Sequence, residues 1–505
     1  MALVIAGERS GCGKTTITLM LLAALSQVRI SDRSLCRSST HPRSEHGTVQ
    51  SFKVGPDYID PMFHRYITGR PCYNLDPILT SANAVRRCFA EHPADYCLIE
   101  GVMGLFDGAV WPQEEAFPDL PAGQIASTAH IAALLQIPIA LVIDCSRLSG
   151  SVAAIAQGYK SLNPKIKLVG VILNRVGSDR HLAALKTALT QISIPILGTL
   201  RRHTEITLPD RHLGLVPTDE LPELEAIAQR LGEIGASSFD WQRVLPLLRS
   251  GAIVEEEAKN QAIAPLSSPQ PWRKPTAGPM VPPPEGRGRI AVARDRAFNF
   301  QYAENLEQLE AYGAELIFWS PITQTLPERI TGLYLSGGFP EMFAQQLFEN
   351  KSARVAVKEA IAAGLPTYAE CGGLMYLCEA LQDFEGRRWP MVGVLPTVAH
   401  MAGLTLGYRR AIVQRDTPLL RAGEIICGHE FHHSNLQPEP TEALYCLWGN
   451  DLPERETRGE GWGGNTLHAS YVHLHWGARP EIAARFMRQG LDWRRHANRK
   501  LPHFG

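Results

Sequence analysis

Glycine, lysine and hydroxyl residues near the start of the chain have the spacing of a phosphate-binding loop. They lie between an apolar run at 2–6 and a predicted helix, and they are Gly11, Gly13, Lys14, Thr15 and Thr16. Glycines let backbone N–H groups close on phosphate oxygens, lysine can reach the β- and γ-phosphates, and a threonine hydroxyl can hold Mg²⁺. Glu8 stands where the strict P-loop pattern has its first glycine, so an ordinary glycine-rich turn is the alternative. We predict an ATP–Mg²⁺ site.

A second group capable of chemistry surrounds Cys371. The sequence AECGG (369–373) sets this thiol between small residues, after a predicted strand and before a predicted helix. The setting is similar to a nucleophile elbow, in which a helix N-terminus favours the thiolate. We predict that Cys371 is a nucleophile and not a buried structural cysteine, whereas Cys378 is assigned to the core.

A cysteine nucleophile needs a base, and two histidine-rich segments offer candidates. LHASYVHLHW (467–476) contains His473 and His475, which strand alternation places on one face, so spacing does not separate them. GHEFHHS (428–434) offers three more, with a structural or interdomain role as the alternative. Gly337 and Gly338 follow another predicted strand and are candidate oxyanion donors.

Carboxylates follow two further predicted strands in the N-terminal half. FKVGPDYIDP and LIEGVMGLFDG contain Lys53, Asp57, Asp60, Glu100 and Asp107. Open α/β sheets bind ligands at the carboxyl ends of their strands, so these side chains could hold Mg²⁺ and phosphate or orient an amine. A solvated acidic turn is the alternative for Asp57 and Asp60. Asn174 ends a later strand and could contact the adenine, or it could be a turn residue.

The pattern of apolar runs predicts which elements carry these groups. Strands are expected at 2–6, 50–54, 96–100, 138–144, 167–173 and 194–197. Alternation with helices favours a parallel sheet covered on both faces. We predict an α/β domain at 1–250 with a polar insertion at 29–49, a Pro-rich linker at 251–288, a second α/β domain at 289–490 and a tail at 491–505.

Composition is that of an ordinary globular protein. The chain has 505 residues, a net charge of −1 and ten cysteines without a CxxC pair. This excludes a global basic field for nucleic acid and favours reduced thiols over a disulfide framework. No apolar run is long enough to predict a membrane span, and no secretory signal is evident, so we expect a cytoplasmic protein.

Ten segments together resemble the cobyrinate a,c-diamide synthase family: SGCGKTT, FKVGPDYIDPMFH, NLDP, EGVMGLFDG, STAHIA, LPDRHLGLVP, YLSGGFPE, AECGGLMYL, GHEFHHS and ASYVHLHW. The resemblance covers nearly the whole chain. It implies an N-terminal P-loop domain similar to dethiobiotin synthetase and a C-terminal class I glutamine amidotransferase-like domain. The implied activity is amidation of the c and then the a acetate group of cobyrinate, with ATP and L-glutamine as co-substrates. A homodimer is a further expectation.

The resemblance also implies roles for particular residues. Cys371 would attack glutamine and His473 would be its base. Lys14, Thr15 and Glu100 would hold ATP and Mg²⁺, and Asp57 is also counted as a metal ligand. Asp57, Asp60 and Asp107 would form the acidic site for metal, phosphate and ammonia. Tyr58 and Ile59 would touch the corrinoid carboxylates.

Two departures from the family pattern leave questions open. Class I glutaminases have His-x-Glu, but His473-Leu474-His475 has no acid at that place, so the third member of the catalytic group is unassigned. The polar insertion at 29–49 has no assigned role. Hydrogenobyrinate or nickel sirohydrochlorin could be the substrate instead, and cobyric acid synthase matches less well. From a different class, a partition-type ATPase with a non-catalytic second domain is the alternative, although Arg9 stands where such ATPases carry a signature lysine.

Overall fold

A computed structural model describes residues 2–27, 47–111, 120–121, 123–202, 210–211, 214–249, 286–449 and 457–500. Two compact units are formed, one from Met1–Pro77 with Ala82–Trp272 and one from Ile78–Ser81 with Arg273–Gly505. Most of the predicted linker and the insertion lie outside the described residues.

The first unit alternates strands and helices in chain order. Its elements are β1 (Leu3–Gly7), α1 (Lys14–Gln27), β2 (Val49–Val54), α2 (Ile59–Thr68), β3 (Tyr73–Leu75), α3 (Ala82–Glu91), β4 (Tyr96–Glu100), α4 (Thr128–Leu135), β5 (Ile139–Asp144), α5 (Val152–Leu162), β6 (Leu168–Val176), α6 (Asp179–Thr190), β7 (Ile196–Arg201), β8 (Asp210–Arg211), β9 (Gly214–Leu215), a 3₁₀ turn (Thr218–Glu220), α7 (Leu224–Ser238) and α8 (Trp241–Leu248).

Seven of these strands make one parallel sheet in the order β3-β2-β4-β1-β5-β6-β7. Strands β1, β4 and β5 are buried along their whole length, which is why their sequences are nearly continuous apolar runs. The order sets β2, β4 and β1 side by side. The loops that follow these three strands therefore meet at one edge of the sheet, where the predicted nucleotide residues lie.

The second unit has the elements β10 (Gly288–Ala293), α9 (Ala303–Ala311), β11 (Ala314–Trp319), β12 (Gly332–Leu335), a 3₁₀ turn (Pro340–Phe343), α10 (Ala344–Glu349), α11 (Lys351–Ala362), β13 (Thr367–Glu370), α12 (Gly372–Leu377), β14 (Cys378–Gln382), β15 (Arg388–Pro390), β16 (Leu395–Val413), β17 (Ile425–Gln437), β18 (Tyr445–Trp448), β19 (Arg458–Glu460), β20 (Trp462–Gly464), β21 (Leu467–Ser470), a 3₁₀ turn (Trp476–Ala478) and α13 (Pro480–Lys500).

One sheet of this unit has the order β11-β10-β12-β13-β21-β20 and is parallel except for β20. Strand β13 lies between β12 and β21, so the loops after all three converge. A buried apolar cluster that includes Leu333, Leu335 and Ala369 supports these strands.

A second sheet, β15-β14-β16-β18-β19 with β17 paired to β16, was not predicted. Its long strands β16 and β17 contain many polar and histidine residues, so they lack the apolar runs from which the other strands were predicted. The tail predicted at 491–505 needs correction, because helix α13 continues across residue 490 to Lys500. None of the helices in the described residues is long and apolar enough to cross a membrane.

Candidate active site

The loop between β1 and α1 has the backbone of a phosphate-binding turn. Gly11 and Gly13 have φ values of 73° and 98°, in the left-handed region that favours glycine. A Cβ atom at Gly13 would lie 2.2 Å from Asn174 Nδ2. Asn174 donates a hydrogen bond of 2.8 Å to the Cys12 carbonyl, so in this structure its amide supports the loop. Contact of Asn174 with an adenine stays a prediction.

Lys14 is the first residue of α1, and its side chain is buried. Its ammonium donates to the Arg9 carbonyl at 3.2 Å. Burial, together with the positive charge of Lys53, lowers the pKa of Lys14 below its ordinary value, although Cys12, Glu100 and Asp60 oppose the shift. A buried ammonium held mainly by a carbonyl is well suited to receive a phosphate.

Thr15 joins the phosphate loop to the carboxylates. Its hydroxyl lies 2.6 Å from Glu100 Oε1 and 3.2 Å from Asp60 Oδ2. Lys53 Nζ lies 2.5 Å from Asp60 Oδ2 and 2.9 Å from Glu100 Oε1. Burial alone would lower the pKa of Lys53, but the surrounding carboxylates outweigh it and raise that pKa well above its ordinary value. The structure therefore brings together the ends of β1, β2 and β4.

Lys53 was predicted at this edge of the sheet without a role of its own, and a histidine of the cluster was not predicted. His64 Nε2 lies 2.7 Å from Glu100 Oε2, and Cys72 Sγ lies 3.3 Å from His64 Nδ1. Burial disfavours the imidazolium, yet Cys72 and Glu100 raise the pKa of His64 to about 10. The spacing of Asp60 and His64 on α2, four residues apart on one helix face, was the signal that could have found His64.

The other predicted acidic residues have local partners. Asp57 Oδ1 accepts from the backbone N–H groups of Ile59 and Asp60 at 2.9 and 3.1 Å, so it caps α2. Asp60 Oδ2 lies within 3.2 Å of the Thr15 hydroxyl, which adds Asp60 to the metal-ligand candidates, and the metal role of Asp57 stays a prediction. Asp107 accepts from the Gly104 N–H at 2.9 Å within its own turn. Tyr58 and Ile59 are both buried.

The donor set at Thr15 fits Mg²⁺. One hydroxyl and two carboxylates converge, and Mg²⁺ in nucleotide sites commonly uses one or two carboxylates and completes its shell with phosphates and water. Within the described residues, no group of three or more His, Cys, Asp or Glu side chains could hold a metal. Thr15, Glu100 and Asp60 are the residues that would hold Mg²⁺.

Cys371 occupies a strained turn between β13 and α12. Its φ and ψ are 49° and −105°, and its backbone N–H donates to Ser470 O at 2.8 Å. Such a backbone outlier at a strand-to-helix turn is the geometry of a nucleophile elbow. A Cβ atom at Gly373 would lie 2.2 Å from Leu335 O, which explains the small residue there.

The expectation that this turn would favour the thiolate needs correction. Burial raises the pKa of the Cys371 thiol well above its ordinary value, and the nearby carboxylates of Glu341, Glu370 and Glu430 raise it further. The Gly372 backbone N–H lowers the pKa of the thiol but does not offset these effects. The thiol therefore needs a base that removes its proton during the reaction.

The two histidines that spacing could not separate have different surroundings. His475 Nδ1 accepts from the Gly477 N–H at 3.1 Å, and its Nε2 faces Glu304 Oε2 at 3.5 Å. His473 lies three residues after Ser470, the residue bonded to Cys371, and its Nδ1 lies 3.6 Å from Glu370 Oε1.

The glycine pair after β12 lies against both sides of this site. A Cβ atom at Gly337 would come within 2.6 Å of His473 Cε1. A Cβ atom at Gly372 would come within 3.1 Å of the Gly338 nitrogen. The Gly337–Gly338 backbone thus lies beside the histidine and beside the residue that follows Cys371, and its role as oxyanion donor stays a prediction.

The three histidines of GHEFHHS lie on β17. His429 pairs with His473 through backbone bonds of 2.8 and 3.2 Å, and the two rings stack at 4.9 Å. Burial lowers the pKa of His429 well below its ordinary value, and the neighbouring rings of His473 and His475 disfavour its protonation further. This imidazole therefore stays neutral and supports the His473 loop.

A P-loop domain and an amidotransferase domain with a cysteine elbow define the class of protein: a glutamine amidotransferase with a nucleotide-binding domain. Residues 3–216 match the CobQ/CobB/MinD/ParA nucleotide binding domain, and residues 289–481 match the CobB/CobQ-like glutamine amidotransferase domain. Three cobyrinate a,c-diamide synthases are 43–49% identical to this chain over 96–100% of its length, so the chain belongs to the cobyrinate a,c-diamide synthase family.

Relatives of full length support this membership. Cobyrinate a,c-diamide synthase from Synechococcus sp. is 49% identical over 96% of this chain and 98% of its own. The enzyme of the same name from Synechocystis sp. is 48% identical over 100% and 96%. Hydrogenobyrinate a,c-diamide synthase from Streptomyces coelicolor is 41% identical over 96% of each chain.

Proposed function

We propose that this protein uses ATP and glutamine to convert the a and c acetate carboxylates of cobyrinate into amides. The observation that carries the proposal is the presence of a phosphate loop and a cysteine elbow in one chain, which aligns over nearly its full length with relatives of that name. The presence of both sites is what the chemistry requires, because a carboxylate must be activated and ammonia must be generated.

In the first unit the substrate carboxylate attacks the γ-phosphorus of ATP, which gives an acyl phosphate and ADP. Lys14 is placed to stabilise the transferred phosphoryl charge, and the backbone of Gly11 and Gly13 to cradle the phosphates. Mg²⁺, when bound through Thr15, Glu100 and Asp60, would neutralise negative charge on the phosphates. Ammonia then attacks the acyl carbon, phosphate leaves, and the amide forms. The corrinoid contacts of Tyr58 and Ile59, and the role of Asp107, stay predictions.

In the second unit His473 takes the thiol proton of Cys371, and the thiolate attacks the carboxamide carbon of glutamine. The tetrahedral oxyanion lies at the backbone of Gly337 and Gly338. The C–N bond breaks as His473 returns the proton to the leaving nitrogen, which releases ammonia and leaves a thioester. Water hydrolyses the thioester to glutamate and restores the thiol.

A second candidate substrate is hydrogenobyrinate, because the relative named hydrogenobyrinate a,c-diamide synthase from Streptomyces coelicolor is 41% identical over almost the whole chain. The partition-type ATPase is not favoured, because the Arg9 guanidinium pairs with Asp144 of its own chain at 2.8 Å. A cytoplasmic location and a homodimer belong to the same proposal. Size-exclusion chromatography with light scattering tests the dimer.

The division of labour is tested with Cys371→Ser. This variant should lose amidation supported by glutamine and keep amidation supported by ammonium salts, because only nitrogen release needs the thiol. Lys14→Met is the complementary control and should lose amidation with both nitrogen sources. Equal loss of the two activities in Cys371→Ser would contradict the proposal.

A further inference from the structure

The acidic residue that orients the catalytic histidine is missing from its usual place two residues after that histidine, where His475 stands. We propose that Glu370, the residue immediately before the nucleophile, is the positioning residue that orients His473 through Nδ1. The inference rests on the proposed glutaminase role of Cys371 and His473.

The first support is the proximity of the two side chains, which lie within ion-pair distance of each other. Glu370 Oε1 lies 3.6 Å from His473 Nδ1, and both side chains are fully buried. Hydrogen bonds in catalytic groups are often long before substrate binds and shorten in the reactive complex. With Nδ1–H directed at the carboxylate, Nε2 is the nitrogen that takes the thiol proton.

The second support is how firmly the carboxylate is held. The Tyr368 hydroxyl donates to Glu370 Oε2, and the Tyr334 hydroxyl donates to Oε1 at 3.5 Å. Both tyrosines lie on neighbouring strands of the sheet, β13 and β12, and are fully buried. A carboxylate fixed in this way by rigid strands can impose one orientation on the ring it faces.

The third support is electrostatic. Glu430, the other buried glutamate near the thiol, is paired with the arginines Arg409 and Arg458. Glu370 has tyrosine hydroxyls and the His473 ring as its polar neighbours at close range. An imidazolium formed at His473 when it takes the thiol proton would compensate the buried charge of Glu370, so the pair stabilises the ion pair of thiolate and imidazolium.

The chain geometry explains how an acid before the nucleophile can reach the histidine. Strands β13 and β21 are parallel neighbours, with Glu370 opposite Ser470. The chain turns after Ser470 and brings His473 back beside the end of β13. The acid on the first strand therefore does what an acid two residues beyond the histidine does in other glutaminases.

The test is Glu370→Gln, with Glu304→Gln as a matched control. Glu304 faces His475 Nε2 at 3.5 Å and so forms a second buried glutamate–histidine pair in the same unit, outside the proposed catalytic group. In Glu370→Gln the carbonyl oxygen takes the place of Oε2 opposite the Tyr368 hydroxyl. The amide N–H₂ then faces Nδ1 and favours the tautomer with the proton on Nε2, which cannot accept the thiol proton.

We expect Glu370→Gln to lower kcat for glutamine hydrolysis by about 10²- to 10⁴-fold near pH 7 with little change in KM. Amidation supported by ammonium should stay within about twofold of the wild-type rate. The residual rate should rise about tenfold per pH unit beyond pH 9, because it depends on the thiolate that forms without a base. Glu304→Gln should keep glutamine hydrolysis within a few-fold of wild type.

Equal rates of glutamine hydrolysis in Glu370→Gln and Glu304→Gln would overturn the inference. A loss of hydrolysis in Glu370→Gln that is the same at every pH would also overturn it. If Glu370→Gln does not fold, Tyr368→Phe serves instead, with an expected loss of about tenfold and the same rise with pH; a flat pH profile would count against the inference. Glutamine hydrolysis retained in Cys371→Ser would overturn the proposed function and this inference together. Hydrolysis lost in Cys371→Ser but normal in Glu370→Gln would overturn the inference alone.

Discussion

Removing the charge of either buried lysine at the phosphate site should affect stability to very different extents. Lys53 neutralises Asp60 and Glu100 at 2.5 and 2.9 Å, and Glu100 is fully buried. Lys53→Met leaves Asp60 without this cation and leaves Glu100 with His64, at 2.7 Å, as its remaining cationic partner. Breaking a buried ion pair by removing one partner costs about 3–5 kcal/mol.

Lys14 is the matched control. In the described part of the chain its ammonium forms no ion pair within 4.0 Å, and it donates to the Arg9 carbonyl. Burial already disfavours its charge. Lys14→Met should therefore change the stability of the unit by less than about 1 kcal/mol, although it removes a predicted ATP contact.

Hydrogen exchange followed by mass spectrometry measures the local stability of β2 and β4 without nucleotide. A loss of 3–5 kcal/mol should speed exchange of these strands by about 100- to 4000-fold in Lys53→Met, as 1.4 kcal/mol corresponds to a factor of ten. Exchange in Lys14→Met should stay within about fivefold of wild type. Equal protection in the two variants would refute the assignment of Lys53 as the cation that stabilises this cluster.

Two further predictions concern the second unit. Burial alone would raise the pKa of Glu430, but His432, Arg458 and Arg409 outweigh burial and lower it to about 2, below its ordinary 4.5; the resulting stability, about 3 kcal/mol, should be fully present above pH 4.5 and lost as pH falls toward 2. Urea unfolding of this unit between pH 6 and 2 should show the loss, and Glu430→Gln should flatten it; equal slopes in the two proteins would count against the assignment. Gly373→Ala should lower the free energy of unfolding by about 1–3 kcal/mol and displace the thiol turn, because its Cβ would lie 2.2 Å from Leu335 O. Gly403→Ala is the control, because its Cβ would have no atom within 4 Å. Thermal unfolding and glutaminase assays should show no change in Gly403→Ala.

Much of the fold could be predicted because parallel strands that are buried on both faces have nearly continuous apolar sequences. The expected strands of the first half coincide with β1, β2, β4, β5, β6 and β7 to within a few residues. The short strand β3 and the sheet built on β16 and β17 were missed. Polar residues interrupt their sequences, and only pairing with distant segments makes them strands.

The site could be predicted in part. Motif spacing predicted Lys14, Thr15, Glu100 and Cys371 as site residues, because each lies at the end of a strand or at the start of the helix that follows it. It could not show that Asp60 contacts Thr15 while Asp57 caps a helix, or that burial opposes the thiolate at Cys371. The contacts of Asp57 and Asp60 and the protonation of Cys371 depend on which side chains the tertiary fold brings next to each of them. The contact between Glu370 and His473 joins residues about a hundred positions apart, so spacing gives no sign of it.

The most direct test of the central claim is incubation of the full chain with ATP, Mg²⁺, glutamine and a panel of cobalt-bearing and metal-free corrinoids, followed by mass measurement of the products. The account predicts conversion of two carboxylates to amides in cobyrinate or hydrogenobyrinate, with ADP, phosphate and glutamate formed in step with each amide. ATP hydrolysis with no amide formed on any corrinoid of the panel would contradict it.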